Sequence, residues 1–546
     1  MKKITCDERD NDRFDNEPTI RFEDEIKRTL VVPISIDENN LDQDEQLIRR
    51  GKTTEVIFCG EKVTTTYKAT KFVKNEGYNA FKCYLFLFLH AIPAMYFGFQ
   101  MTLMNNLGEP IVNNGMGISD NKEVANTIGD FNLFFGIGKM FGSVFGGSVQ
   151  KKFGKRNILY FNEILTIASC TTGMFGNYWV FVISRICVGF YCGNISTNAS
   201  RIITECFPIK KRGPATSFFS MFVCLGVMIS FSIGKIFGDE FLDKNWRAFI
   251  IGSSSLVLIR AILLFLFINH DTPIYYLRKS MYADNEQEAE KYEKRADDLI
   301  SRFNANKYDI EFEKLQIEEI VKGGEVIETS LWELIKFNCI DKRTRYSCLA
   351  VLTFNIFPPL AGQAYTDNYS TQIFDLLAGK GFGYTVTFYS GILAFVGGIS
   401  AVLFVERMGR STLIIISFMT QIFCLWLMSL SFYFEMAYLA AFGNMLYTYS
   451  IYFGTIGVCY IYPNEIAQPF VLGIGCFINW FVKSVVSKIL PFIYLNTPLC
   501  VTPMILSTLG LIVFIFIRPF YLESKGKTLK GIYVEFANFK YNLFAR

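Results

Sequence analysis

Apolar segments of about 20 residues, the length that crosses the hydrocarbon core of a bilayer, recur along this chain with short polar connections between most of them. In the first half they fall near 81–104, 127–150, 157–175, 178–203, 214–237 and 247–268. Six more follow near 346–370, 385–405, 411–433, 437–462, 471–494 and 498–519. Residues 269–345 break the rhythm. They are polar, with EQEAEKYEKRADDLI (Glu286–Ile300) and IEFEKLQIEEIV (Ile310–Val321) at helical spacing. The pattern predicts an all-α integral membrane protein of twelve transmembrane helices, divided six and six. The expected organisation is a polar tail (1–79), a first six-helix bundle (80–268), a cytoplasmic helical linker (269–345), a second six-helix bundle (346–519) and a C-terminal tail (520–546). The N-terminal tail is strongly charged and lacks the basic-then-apolar layout of a cleaved signal peptide. It is expected to be largely disordered, with a short strand near Thr29–Ile36.

Loop charge orients the bundle. Within Gly138–Asn157 an apolar helix carries Gly138, Gly142 and Gly146 at i, i+4 and i+8, then runs into Lys151, Lys152, Lys155 and Arg156. The glycines strip one helix face so that a neighbouring backbone can approach. Basic turns also follow the fourth segment (Lys210, Lys211, Arg212) and the eighth (Arg407, Arg410), whereas the opposite connections hold little beyond Lys122, Lys244 and Lys380. By the positive-inside rule the basic side is cytoplasmic. Both termini and the linker are then expected inside, with the plasma membrane as the expected location.

Composition agrees with lipid as the solvent. The chain of 546 residues is 51% apolar and only 19% charged, against about a quarter charged in soluble domains. A net charge of +4 spread over many short loops gives no basic patch for nucleic acid. None of the fourteen cysteines forms a C-x-x-C pair, and His90 and His270 are the only histidines, so neither metal nor other cofactor is expected. A G-x-x-x-x-G-K-[ST] loop is absent, which disfavours ATP-driven pumping. There is an internal echo as well. The basic turn Phe153–Asn157 recurs as Glu406–Ser411, and Glu205 with Arg212 is partly matched by Glu465. Parallel six-helix repeats of this kind suit a carrier whose halves rock about a site at the midplane.

Seven short stretches, in order, resemble the sugar-porter branch of the major facilitator superfamily, and the facilitative glucose carriers most closely. FGFQMTLMN (Phe97–Asn105) is similar to the family's FGYNTGVIN, and GGSVQKKFGKRN to its G-x-x-x-D/N-R-x-G-R-R-N turn. RICVGFYCG (Arg185–Gly193) is similar to RFIIGVYCG, and TECFPIKKRG (Thr204–Gly213) to GE-x-x-P-x-x-x-RG. HDTPIYYL (His270–Leu277) stands for PESPRFLL, FVERMGRSTL (Phe404–Leu413) for VERAGRRTL, and YLESKGKTLKGI (Tyr521–Ile532) for PETKGRTLEEI. The resemblance implies the major facilitator fold, two pseudo-symmetric six-helix bundles, and a carrier rather than an enzyme. It also implies gating roles for Arg156, Glu205, Arg212, Glu406, Arg407, Arg410 and Glu465, which would pair across the halves when the inner side is shut and separate when it opens.

The substrate-facing positions depart from the family. Amides suit a sugar because each offers donors and an acceptor to adjacent hydroxyls. Here the fifth-helix glutamine position is Ser220, Pro358 and Pro359 replace the seventh-helix glutamine pair, Ala364 its asparagine and Ala394 that of the eighth. Gln363, Asn479, Trp480, Asn105 and Tyr460, which stands at the tenth-helix tryptophan position, remain as binding candidates with Ser220. Pro358-Pro359 implies a broken helix where backbone lines a water-filled cavity. Lys139 and Lys483 lie inside the second and eleventh segments, and buried ammonium groups without carboxylates favour an anionic substrate. Asp367 or Glu163 could neutralise one of them. Arg185 within the fourth segment also needs a partner. At the first-helix position where proton-coupled relatives have an aspartate, Gln100 cannot titrate, which favours uniport, with Asp130 and Asp367 as fallback proton sites. The expectation is a small-molecule carrier for a hexose or related sugar, taken as a monomer in the bilayer. Two alternatives stay open: an organic-anion or nucleotide carrier on the same fold, and a transport-inactive nutrient sensor.

Overall fold

In the computed structural model, all but a few positions between 75 and 304 and between 342 and 525 are described, with isolated positions elsewhere. Residues 1–76 and 305–312 form one compact unit and the remainder another. In the first unit, β1 (Ile34–Ser35) pairs in parallel with β4 (Ala69–Thr70), and β2 (Thr54–Phe58) pairs antiparallel with β3 (Glu61–Thr65). The strand foreseen near Thr29–Ile36 is described only at Ile34–Ser35. The strand pairs at 54–70 depart from the disorder expected of this tail, most of whose other residues lie outside the described ones.

The second unit is helical. Its first half comprises α1 (Ala80–Pro110), α2 (Asn121–Phe153), α3 (Lys155–Gly173), α4 (Tyr178–Cys206) and α5 (Ile209–Phe267), followed by α6 (Pro273–Met281) and α7 (Glu286–Phe303). Its second half comprises α8 (Lys342–Leu360), α9 (Gln363–Ala378), α10 (Phe382–Met408), α11 (Arg410–Tyr433), α12 (Ala437–Ser450), α13 (Ile456–Val458), α14 (Tyr462–Ile466), α15 (Pro469–Asn496) and α16 (Val501–Ile517). The helix α5 holds the fifth and sixth crossings, broken by non-helical backbone at Gly238 and Asn245. The tenth crossing is α12 extended through a π turn, Ile451–Thr455, into α13. Seven helices among the described residues are long and apolar enough to cross a membrane by length and composition alone. Phe265, Phe267, Trp426 and Phe492 are exposed on its surface, as lipid-facing side chains are.

Small residues set the closest packing. A Cβ at Gly138 or Gly142 would collide with the carbonyl of Ile186 or Phe190 on α4. Reciprocally, Gly189 and Gly193 on α4 meet the carbonyls of Phe135 and Lys139. The glycine face foreseen on the second crossing therefore packs against a matching face of the fourth. Gly146 lies among the side positions outside the described residues.

The internal echo has a backbone cause. Gly154 and Gly409 precede α3 and α11 with φ of 83° and 88°, a region open to glycine and strained for other residues. Each of these helix starts is capped by a carboxylate from a distant motif. Asp271 accepts from the backbone N–H of Arg156 at 3.3 Å, and Glu523 accepts from those of Arg410 at 2.9 Å and Ser411 at 3.1 Å. Anions are favoured at helix N-termini, where N–H groups lack intrahelical partners.

The seventh crossing is broken, though one turn beyond the prolines. Pro358 and Pro359 stay inside α8. The chain turns at Gly362, with φ of 91°, and restarts as α9 at Gln363. Tyr447 donates to the Ala361 carbonyl at 2.7 Å, so the freed backbone acceptor is satisfied within the bundle.

Candidate functional site

A cavity lies between the two halves. Phe97, Met101, Ser196, Ser200 and Val223 line it from the first half. Asn355, Pro358, Gln363, Thr455, Asn479 and Trp480 are among those lining it from the second. The broken seventh crossing explains the reach of Gln363: as the first residue of α9 it projects from a helix start, not from a continuous helical face. Asn479 donates to the Asn355 backbone carbonyl at 2.7 Å, which fixes its amide and leaves the side-chain oxygen as an acceptor. Trp480 stands edge-on to Phe97 at 5.9 Å between ring centres, an apolar wall of the kind that most ligand pockets share.

Of the six binding residues expected, Gln363, Asn479 and Trp480 are brought together at this cavity. Ser220 is buried, donates to the Thr216 carbonyl at 3.4 Å, and is not on the cavity wall. Asn105 also lies away from the wall, because its amide is spent between the halves. It donates to Ser370 Oγ at 2.8 Å and accepts from the Thr371 N–H at 3.0 Å. Tyr460 lies outside the described residues. Sequence reading missed Ser196, Ser200, Asn355 and Thr455. Ser196 and Ser200 belong to a run of small polar side chains inside α4, Asn355 lies in α8 and Thr455 ends the π turn, and none has a distinguishing spacing.

Hydrogen bonds and ion pairs between the halves cluster at the end remote from the basic turns. There Asn106 accepts from Thr371 Oγ1 at 2.9 Å, Lys235 donates to Thr385 at 2.9 Å, and Lys488 pairs with Asp130 at 2.6 Å. At the basic-turn end, the described ion pairs of the gate charges run within one half or to the linker region. Glu205 pairs with Lys155, Arg212 reaches Glu313 of the linker region at 2.5 Å, and Arg410 reaches Glu465 at 3.1 Å. Glu465 also accepts from Ser524 at 2.6 Å. Arg407 is exposed, with its carbonyl accepting from Lys525 at 3.3 Å. Arg156 contacts Asn157 at 3.3 Å, and the Glu406 side chain lies outside the described residues. Burial pushes the Asp271 carboxyl up from its ordinary range, against the N–H groups of Thr272 and Arg156 that favour its charged form.

The intramembrane charges divide unevenly. Lys483 pairs with Asp367 at 2.7 Å, both nearly inaccessible, and Tyr452 donates to the same carboxylate at 3.4 Å. Glu163 pairs with Arg260 instead. Both neutralising carboxylates considered from the sequence are thus used, and neither serves Lys139. That ammonium lies over the rings of Phe135 and Trp480, at 4.2 Å and 4.0 Å from their centres. Arg185 donates to Gln100 at 3.0 Å and lies over the same Phe135 ring at 4.1 Å. A desolvated cation–π contact is worth about 2 kcal/mol, comparable to the roughly 2.5–3.5 kcal/mol that a charged side chain costs at a membrane helix centre.

Two six-helix halves around a polar-and-aromatic cavity define a membrane carrier of the major facilitator class. Residues 86–536 match the family described as Sugar (and other) transporter, and the chain belongs to that family, which comprises transporters and not enzymes. It is 34% identical over 112 residues to a facilitated glucose transporter homolog of Caenorhabditis elegans, covering 19% of this chain and 22% of that protein. Over a longer stretch it is 23% identical to the sugar transporter ERD6-like 7 of Arabidopsis thaliana, covering 74% and 85%. It is 22% identical to the arabinose-proton symporter of Bacillus subtilis, covering 72% and 84%. Among solved structures it is similar in fold to the proton:xylose symporter XylE bound to 6-bromo-6-deoxy-D-glucose, with a TM-score of 0.70 at 18% identity, covering 84% of this chain and 100% of that one.

Proposed function

We propose that this protein carries a hexose or related sugar across a membrane by alternating access, as a uniporter. The observation that carries the reading is the cavity between the halves, lined by the amide residues Gln363 and Asn479 and the hydroxyl residues Ser196, Ser200 and Thr455 together with Trp480. Amides and hydroxyls match the adjacent donors and acceptors of a sugar, and the indole face suits its apolar side. The names of its relatives, sugar and inositol transporters among them, agree with this choice.

The contacts at the end remote from the basic turns hold the halves together there, so the described arrangement is the state shut on that side. With the basic turns cytoplasmic, both termini and the 269–345 linker are inside and the bundles 80–268 and 346–519 rock against each other. Opening the outer side then requires breaking the Asn105, Asn106, Lys235 and Lys488 contacts. On the inner side, Arg156, Glu205, Arg212, Glu406, Arg407, Arg410 and Glu465 exchange partners. Uniport is supported by Gln100, which accepts from Arg185 at 3.0 Å and carries no titrating group.

The test is uptake of radiolabelled D-glucose into liposomes holding the purified protein, competed with sugars, sugar derivatives and non-sugar anions. Saturable uptake competed by sugars or their derivatives, unchanged by an inward proton gradient, is expected. Competition by non-sugar anions alone overturns the sugar reading, and acceleration by the gradient overturns uniport. Absence of saturable uptake overturns the carrier reading and leaves the sensor.

A further inference from the structure

One corner beside the cavity holds donors without acceptors. Lys139 is 4% exposed, and among the described residues its ammonium meets two aromatic rings and no carboxylate. The indole Nε1 of Trp480, whose ring is one of those two, is buried without a hydrogen-bond partner. Nε and Nη2 of Arg185, on the Phe135 ring that Lys139 also covers, are equally unpartnered. A buried donor left without an acceptor is costly, and Trp480 and Arg185 share that condition beside the Lys139 ammonium. Formal charge points the same way. Lys139, Arg185 and Lys483 contribute +3 and Asp367 contributes −1, a net +2 in a region with Lys483 and Asp367 already paired. Intramembrane charges of this kind mark substrate pathways.

We propose that the carried sugar bears a carboxylate, a sugar acid of the uronate or aldonate type, whose acid group is received by Lys139 with the Trp480 and Arg185 N–H groups. This rests on the sugar-carrier reading and sharpens it. A carboxylate offers acceptors only, which complements a corner of donors, while the hydroxyls of the same molecule fall to Gln363 and Asn479. Trp480 joins the two regions: its ring lines the cavity and lies under the Lys139 ammonium. Admission of the acid group to the corner requires the indole to shift toward Phe97, its edge-on neighbour.

The experiment compares uptake of radiolabelled D-glucuronate and D-glucose by wild type, Lys139→Gln and Lys139→Arg in liposomes, each protein first checked for monodispersity in detergent. In wild type, kcat/KM for glucuronate should exceed that for glucose by about tenfold or more, the size of one charge-assisted hydrogen bond. Lys139→Gln should erase most of that ratio while glucose uptake continues, and Lys139→Arg should retain it. Saturable glucose uptake that glucuronate does not compete overturns the acid-group inference and leaves the sugar carrier standing. The same holds for a ratio unchanged in Lys139→Gln, or for glucose 6-phosphate carried in place of glucuronate. No saturable uptake of either sugar overturns both. Should Lys139→Gln fail to fold, binding of glucuronate to wild type, read as a rise in thermal midpoint larger than that given by glucose, decides the question.

Discussion

Replacing Asp367 by asparagine removes the only carboxylate that the Lys483 ammonium has within ion-pair distance among the described residues. Both side chains are nearly inaccessible, and the Lys139 cation lies on the adjacent Trp480 ring. Asp367→Asn therefore leaves one uncompensated buried cation close to another. Breaking a buried pair from one side costs about 3–5 kcal/mol, because the remaining charge keeps its desolvation penalty and loses its attraction. That corresponds to about two to three and a half powers of ten in the folded-to-unfolded ratio. Replacing both partners removes the penalty with the attraction, so Asp367→Asn/Lys483→Met should lie within about 1 kcal/mol of wild type. Lys483→Met alone should be milder than Asp367→Asn, since Asp367 keeps its hydrogen bond from Tyr452 at 3.4 Å. The assay is equilibrium unfolding of the purified protein in mixed micelles with rising SDS, read by tryptophan fluorescence across the four-member cycle. A double variant as unstable as Asp367→Asn would refute the reasoning, for it would mean that the two charges do not stabilise each other.

Three further outcomes are expected. Gly142→Leu should destabilise by about 1–3 kcal/mol or more, because its side chain would enter the space occupied by the Phe190 carbonyl; an unchanged thermal midpoint in detergent would count against the glycine-to-glycine packing of α2 and α4. At Glu523, burial that raises the carboxyl pKa is outweighed by hydrogen bonds from the N–H groups of Lys525, Arg410 and Ser411 and the Ser411 hydroxyl, leaving it below its ordinary value of 4.5. Its stabilisation is therefore present above that value and lost as pH falls through the lower folded one. The stability gap between wild type and Glu523→Gln should be full at neutral pH and close on acidification below 4.5, as followed by unfolding midpoints; a gap independent of pH would remove the carboxylate from the account. Glu465→Ala, which deprives Arg410 and Ser524 of an acceptor, and Arg212→Ala should each lower uptake while the protein still reaches the membrane, and unchanged kinetics would exclude a gating role for the residue.

The helices were legible because lipid imposes length and composition on each of them. Twelve apolar stretches, two basic glycine turns and a polar linker are local features, readable without any contact. The site was legible only where a residue's position followed from its own helix. Gln363, Asn479 and Trp480 line the cavity. Asn105 and Ser220 sit in equivalent-looking polar positions, yet Asn105 is occupied by bonds to α9, which no single segment records, and Ser220 by a bond to a carbonyl of its own helix.

The stretch from Gly138 to Asn157 shows the division most clearly. Its sequence by itself determined a close-packed membrane helix ending in a basic turn, since glycine spacing and lysine clustering have direct physical consequences. Tertiary structure decided the partners. It set Gly138 and Gly142 against carbonyls of α4, brought Asp271 to cap the helix after the turn, and gave Asp367 to Lys483 while leaving Lys139 to two aromatic rings. Charge pairing in a low-dielectric interior depends on distances of a few ångström between helices that lie hundreds of residues apart in the chain. Lys139 and Lys483 therefore looked alike in sequence, and only their three-dimensional neighbours separated a compensated charge from an uncompensated one.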